Sequence, residues 1–149
     1  MDRILNKFWL VLAILVLPMA ACEEDGYLDE LPKKIATFVT QYYPGVEVKE
    51  YTVTVDTYHV RLAGGPGLTF DKDCNWLAVN GYGEALPQVM LFDNLPPALY
   101  EYLQTGSLTS EVLSMERTSR LYTLVLVDTT IYYDIDTGKI TQGERPAVD

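Results

Sequence analysis

The sequence predicts an α+β protein of two tandem units, each consisting of one helix packed on an antiparallel sheet of about four strands. Two observations lead to this prediction. A helical periodicity opening with Leu-Pro occurs twice, and each copy is followed by short segments of alternating polarity. The predicted organisation is a signal segment (1–21), an acidic linker (22–30), a first unit (31–80), a connector (81–94), a second unit (95–141) and a tail (142–149).

The two predicted helices each begin at a proline. Pro32 and Pro96 suit a first helical turn, where the missing N–H is not needed. Apolar residues then recur at the i, i+3 and i+4 spacing of an amphipathic helix. They are Ile35, Phe38, Val39 and Tyr42 in the first helix, and Leu99, Tyr102 and Leu103 in the second.

The predicted strands also repeat in order. Residues 58–62 align with 122–126, and 68–71 align with 131–134, so the sequence indicates an internal repeat. Alternation places successive side chains on opposite faces. The face turned away from the helices would carry His59, Arg61, Thr69 and Trp76 in the first unit, and Thr123, Val125, Val127 and Tyr132 in the second. The alternatives are that the two sheets cover each other, or that a one-residue register shift exchanges the faces.

The N-terminal segment is typical of export. Arg3 and Lys7 precede an apolar run over residues 8–17, and small residues lead to Cys22. This end resembles the lipobox of bacterial lipoproteins, which implies that Cys22 is the lipidated N-terminus of the mature chain. An ordinary signal peptide and an uncleaved anchor helix are the alternatives, although the run is short for a membrane span. Residues 23–25 resemble an acidic surface-export tag, or else form a solvated linker.

Charge and cysteine content argue against nucleic-acid binding and against an internal disulfide. The chain has a net charge of −10, and residues 1–21 contribute +1, so the remainder carries −11. This charge opposes binding to nucleic acid. If Cys22 carries a lipid, Cys74 is alone and no internal disulfide forms.

No catalytic or metal-binding set stands out. The single histidine, His59, has no nucleophile motif near it. Asp71-x-Asp73-x-Asn75 matches the opening of an EF-hand loop, but Trp76 replaces the required glycine and Tyr82 the bidentate glutamate. We therefore expect a hairpin turn there, no metal, no cofactor and no enzymatic activity.

Several residues together resemble a known family. Leu31-Pro32, the Tyr-Tyr-Pro-Gly at 42–45, the Tyr-x-Val-x-Leu at 58–62 and the Phe-Asp-x-Asp-x-Asn-Trp at 70–76 resemble the PepSY-like, beta-lactamase-inhibitor-like family. Residues 95–141 carry the resemblance more weakly. It implies secreted or lipidated envelope proteins built from helix-on-sheet modules that bind other proteins through the open sheet face. The sequence differs from the family's pattern at Cys74, where the family usually has a turn glycine.

The sequence thus favours a non-catalytic envelope lipoprotein, anchored by Cys22, that binds or inhibits an envelope or secreted protein. The predicted binding face comprises Trp76, Arg61, His59, Tyr132 and Val125, because Trp and Arg are enriched at binding hot spots. The alternative is a surface lipoprotein that binds small ligands or glycans by stacking on Trp76 and Tyr132. An envelope hydrolase using carboxylates is the third hypothesis.

Overall fold

The computed structural model describes residues 27–147, which form one eight-stranded antiparallel sheet with three α-helices. A 3₁₀ turn, Leu28–Glu30, precedes the first α-helix, and the second and third α-helices lie between the fourth and fifth strands. The helices are α1 (Lys33–Tyr42), α2 (Gln88–Asn94) and α3 (Pro97–Thr105). The strands are β1 (Val48–Val53), β2 (Thr57–Leu62), β3 (Gly67–Asp71), β4 (Trp76–Asn80), β5 (Val112–Arg117), β6 (Leu121–Leu126), β7 (Thr130–Asp134) and β8 (Ile140–Gln142).

The predicted division into two tandem helix-on-sheet units is wrong. Strand β4 pairs with β5, with Val79 opposite Met115, so the strands follow one another through one sheet in sequence order. The ladder continues beyond the strand, because the Gly81 N–H donates to the Leu113 carbonyl at 2.9 Å. This long-range pairing removes the edges at which two separate sheets would end.

Within residues 27–147, one hydrophobic core lies between the helices and one face of the sheet. Helix α1 contributes Ile35 and Val39 to it, and α3 contributes Leu99 and Leu103. Across the sheet, one buried residue per strand forms a continuous row from β2 to β7. The row consists of Val60, Leu68, Val79, Met115, Leu124 and Ile131.

Helix α2 occupies the segment predicted to be a connector. It begins after Pro87, buries Met90 and Leu91, and ends before Leu95. The Tyr42 hydroxyl donates to Asp93 Oδ2 at 3.0 Å and accepts from Asn94 Nδ2 at 3.0 Å. These hydrogen bonds join α1 to α2, so the connector is an integral part of the helical layer.

The predicted signal segment and the predicted lipid attachment at Cys22 lie outside the described residues. Within residues 27–147, no helix is both long and apolar enough to span a bilayer.

Candidate functional site on the open sheet face

The sheet face opposite the helices carries two rows of side chains, which we call the open face. Cross-strand pairing aligns one residue from each strand in a row from β1 to β8: Thr52, His59, Thr69, Ala78, Glu116, Thr123, Tyr132 and Thr141. A parallel row from β1 to β7 contains Glu50, Arg61, Gly67, Asn80, Ser114, Val125 and Thr130. Since the two halves join edge to edge, neither half covers the open face of the other.

Trp76 does not lie on this face, so its predicted exposure is wrong. A bulge shifts the β3–β4 register between Thr69 and Phe70, which places Trp76 opposite Phe70. The Trp76 side chain is 6% exposed and belongs to the core. Leu77 is the extra residue of the bulge. Trp76 is therefore unavailable as a stacking platform.

His59 and Arg61 do lie on the open face, as predicted. The His59 ring is held between two hydroxyls, with Nε2 2.9 Å from Thr57 Oγ1 and Nδ1 3.2 Å from Thr69 Oγ1. Among residues 27–147, neither ring nitrogen is hydrogen-bonded to a carboxylate, so this part of the chain does not supply the acid that orients a catalytic histidine. Arg61 Nη1 lies 3.6 Å from Glu50 Oε1 in an exposed ion pair.

The β1–β4 half of the open face contains a shallow depression of about 330 Å³. His59, Arg61 and Glu50 line it from β1 and β2, and Tyr82 lines it from the turn after β4. Tyr82 is not among the residues of the predicted binding face. The available signal was its place in Asn80-Gly81-Tyr82-Gly83, where flanking glycines indicate a tight turn directly after a strand.

The β5–β8 half of the open face is more apolar. Val125 is 40% exposed, and Val127, which follows β6, is 59% exposed. Tyr132 is half-buried between Thr123 and Thr141. The structure therefore places Val125 and Tyr132 on the predicted face, but several strands away from His59 and Arg61.

The polar side chains of the acidic turn after β3 are hydrogen-bonded within the turn and to Lys34. Asp71 Oδ1 accepts the N–H groups of Asp73 at 2.9 Å and Asn75 at 2.8 Å, and Lys34 Nζ donates to Asn75 Oδ1. Cys74 occupies the left-handed region at φ 66°, where a glycine is usual. No cluster of three or more His, Cys, Asp or Glu side chains suited to a metal ion occurs among residues 27–147.

Comparisons with known proteins give the fold but no established activity. No protein-family model and no curated protein matches the chain. It is similar to a proposed periplasmic protein of the DUF2874 family from Bacteroides vulgatus, with 25% identity over 76% of this chain and 90% of the other and a TM-score of 0.63.

Two further solved structures share the architecture. A proposed calcium-regulated periplasmic protein from Bacteroides thetaiotaomicron has 22% identity over 78% of this chain and 93% of its own, with a TM-score of 0.65. A proposed periplasmic protein of unknown function from Bacteroides vulgatus has 18% identity over 78% and 94%, with a TM-score of 0.64. These likenesses show that the fold occurs in other proteins.

Proposed function

We propose that the protein is a non-catalytic binding module of the bacterial cell envelope, which contacts another protein through the β5–β8 half of its open face. One observation carries the proposal: within residues 27–147 the helices lie on one side of the eight-stranded sheet, and the other side presents exposed apolar side chains. Exposed apolar patches on a polar surface are typical of interaction sites.

The composition of the open face supports a protein partner. Although the chain has 21 acidic residues, the charged side chains in the two rows are Glu50, Arg61 and Glu116. Glu50 and Arg61 neutralise each other. Interface centres are depleted in charge and enriched in tyrosine, so Val125, Tyr132 and their hydroxyl-bearing neighbours suit a protein contact.

An envelope location is supported by two independent features. The N-terminal segment, residues 1–21, has the pattern of an export signal and is followed by Cys22. The proteins of similar structure are described as proposed periplasmic proteins. Lipid attachment at Cys22 and membership of the PepSY-like family remain parts of this proposal.

One protein of similar structure is described as proposed to be calcium-regulated. We propose that this chain does not bind calcium. In the acidic turn after β3, Asp71 Oδ1 already accepts two backbone N–H groups, and the Lys34 ammonium approaches Asn75. A cation near Asn75 would have to displace Lys34, which opposes binding of a divalent ion.

Site-specific photo-crosslinking in cells tests the protein contact. A photoreactive phenylalanine analogue replaces Val125 in the full chain, and a matched control carries it at Val89, which is 62% exposed on α2. We expect a protein adduct at position 125 that is absent at 89 and weakened by Tyr132→Ala. Adducts of equal yield at both positions, or none at position 125, would overturn the proposed contact.

A further inference from the structure

Tyr82 is held in a costly backbone conformation at the rim of the open-face depression. Its φ of 49° lies in the left-handed region, which a non-glycine residue seldom adopts. The Tyr82 N–H donates to Asn80 Oδ1 at 2.8 Å and fixes the turn. The side chain is nevertheless 63% exposed. The fold therefore fixes the backbone of an aromatic residue while burying little of its side chain, which is a reason to look for a role in binding.

The ring position depends on a glycine in the neighbouring strand. A Cβ atom placed on Gly67 would lie 3.1 Å from Tyr82 Cε2, a tight contact that would move the ring by a few tenths of an ångström, so the bare backbone of β3 lets the ring lie close against the sheet. Glycine weakens a strand interior and often marks the close approach of another group. Here Gly67 lets the Tyr82 ring approach the backbone of β3, while the outer part of the ring stays in solvent.

Hydrogen-bonding groups line the same depression as this ring. Arg61, Glu50 and His59 line the depression, together with Thr52 and Asn80. Within residues 27–147, no hydrogen bond occupies the Thr52 hydroxyl or the Asn80 amide nitrogen. The depression thus offers both donors and acceptors beside an aromatic surface.

From this geometry we infer that the depression is a saccharide-binding site, with Tyr82 as the stacking platform. Sugars present apolar C–H faces and a rim of hydroxyls that both donate and accept, which matches an exposed aromatic ring in a depression that Thr52, Asn80 and Arg61 also line. A purely apolar ligand would leave these polar groups without partners. An anionic ligand would meet Glu50 beside Arg61. This site goes beyond the proposed protein contact, which uses the other half of the open face.

Titration followed by amide-resolved NMR tests the inference. The protein is residues 22–149 with Cys22→Ser, which removes the proposed lipid attachment. The probes are maltotriose, cellotriose, xylotriose, mannotriose and triacetylchitotriose, each to about 10 mM, because weak ligands bind in the millimolar range. We expect at least one sugar to give saturable shifts at Gly67, Thr69, Ala78 and Tyr82. No saturable shift with any probe, or shifts centred elsewhere, would overturn the proposal.

Three variants separate stacking from a structural effect. Tyr82→Gly relieves the positive φ and removes the ring, and we expect it to weaken binding by about fivefold or more. Tyr82→Phe keeps the ring and should bind within about twofold of the parent. Phe92→Ala, which removes a comparably exposed ring (65%) from α2, should leave affinity unchanged. Unchanged affinity in a folded Tyr82→Gly variant would contradict the site, while the crosslinking at Val125 reports separately on the protein contact.

Discussion

The Arg117 guanidinium lies over the Trp76 ring, with Cζ 4.6 Å from the ring centroid. Its Nε also donates to the Trp76 carbonyl at 2.6 Å. Arg117 ends β5 and Trp76 begins β4, so this contact lies just beyond the pairing of Ala78 with Glu116. The two interactions extend the junction between the halves of the sheet, where cross-strand pairing is short.

Replacing Arg117 with Met should destabilise the protein without unfolding it. The variant keeps much of the side-chain length but loses a charged hydrogen bond and a cation–π contact, which together suggest a loss of about 1–3 kcal/mol. Urea denaturation measures the change. The matched control is Arg61→Met, which removes an exposed ion pair and should cost less than about 0.5 kcal/mol. Equal losses in the two variants would show that the Trp76 contact adds nothing.

Trp76→Ala should act on stability and not on a binding surface. Removing a buried aromatic side chain from a core costs about 3–5 kcal/mol, so we expect a large fall in the free energy of unfolding. Trp76→Phe retains most of the buried volume and should be much less harmful. Calorimetry of both variants checks this expectation. A near-native unfolding temperature for Trp76→Ala would place the ring in solvent, as the sequence first indicated.

The two halves should unfold together. Because the core and the sheet are continuous across Val79 and Met115, we expect one cooperative unfolding transition. Met115→Ala should lower the free energy of unfolding of the whole protein by about 2–5 kcal/mol. A peptide of residues 27–80 should lack stable structure by circular dichroism, since it would lose both the β5 partner and the α2–α3 cover. A cooperatively folding 27–80 peptide would restore the tandem-unit prediction.

Calcium should leave the stability unchanged. Addition of about 10 mM CaCl₂ exceeds the dissociation constants of extracellular calcium modules, so a bound ion would raise the unfolding temperature measurably. We expect the same unfolding temperature in calcium and in chelator, because Asp71 bonds to backbone N–H groups and Lys34 approaches Asn75. A calcium-dependent increase that Asp71→Asn removes would contradict this.

Local sequence patterns predicted the strands and the open-face positions of His59, Arg61 and Val125, because alternation and turn residues are local signals. They gave the wrong face for Trp76, because the extra residue Leu77 reverses the alternation of side chains along β4. No local feature of the sequence indicates this bulge. The β4–β5 pairing was missed for a related reason. It joins residues separated by α2 and α3, and such long-range pairing leaves no periodicity in the sequence.

Only part of the candidate site could be predicted from the sequence, for the same physical reason. Arg61 and His59 follow from alternation within one strand, whereas the Tyr82 platform requires a turn to fold back onto Gly67 of another strand. The glycines around Tyr82 indicate the turn, but its direction depends on the hydrogen bond to Asn80 and on the tight space at Gly81. Tertiary placement therefore decides which aromatic side chain is exposed.

Alkaline pH should destabilise the protein through its tyrosines. Burial raises the pKa of Tyr43 to about 12, and burial is also the main cause of the raised pKa values of Tyr42 and Tyr51. The unfolded chain titrates near the ordinary value of 10. A raised folded pKa means that the folded state retains its proton more strongly. The stabilisation is therefore complete below pH 10 and is lost as the pH rises towards about 12.

Tyr43→Phe isolates this effect, because it removes the titrating hydroxyl while keeping the ring. Between about pH 9 and pH 11.5 we expect its urea midpoint to fall less than that of the parent, although Tyr42 and Tyr51 still contribute some loss. Tyr27→Phe alters an exposed tyrosine, 42% accessible, and should follow the parent curve. If Tyr43→Phe and the parent lose stability in parallel, Tyr43 ionises in the folded protein as easily as in the unfolded chain, and its burial has no part in the alkaline transition.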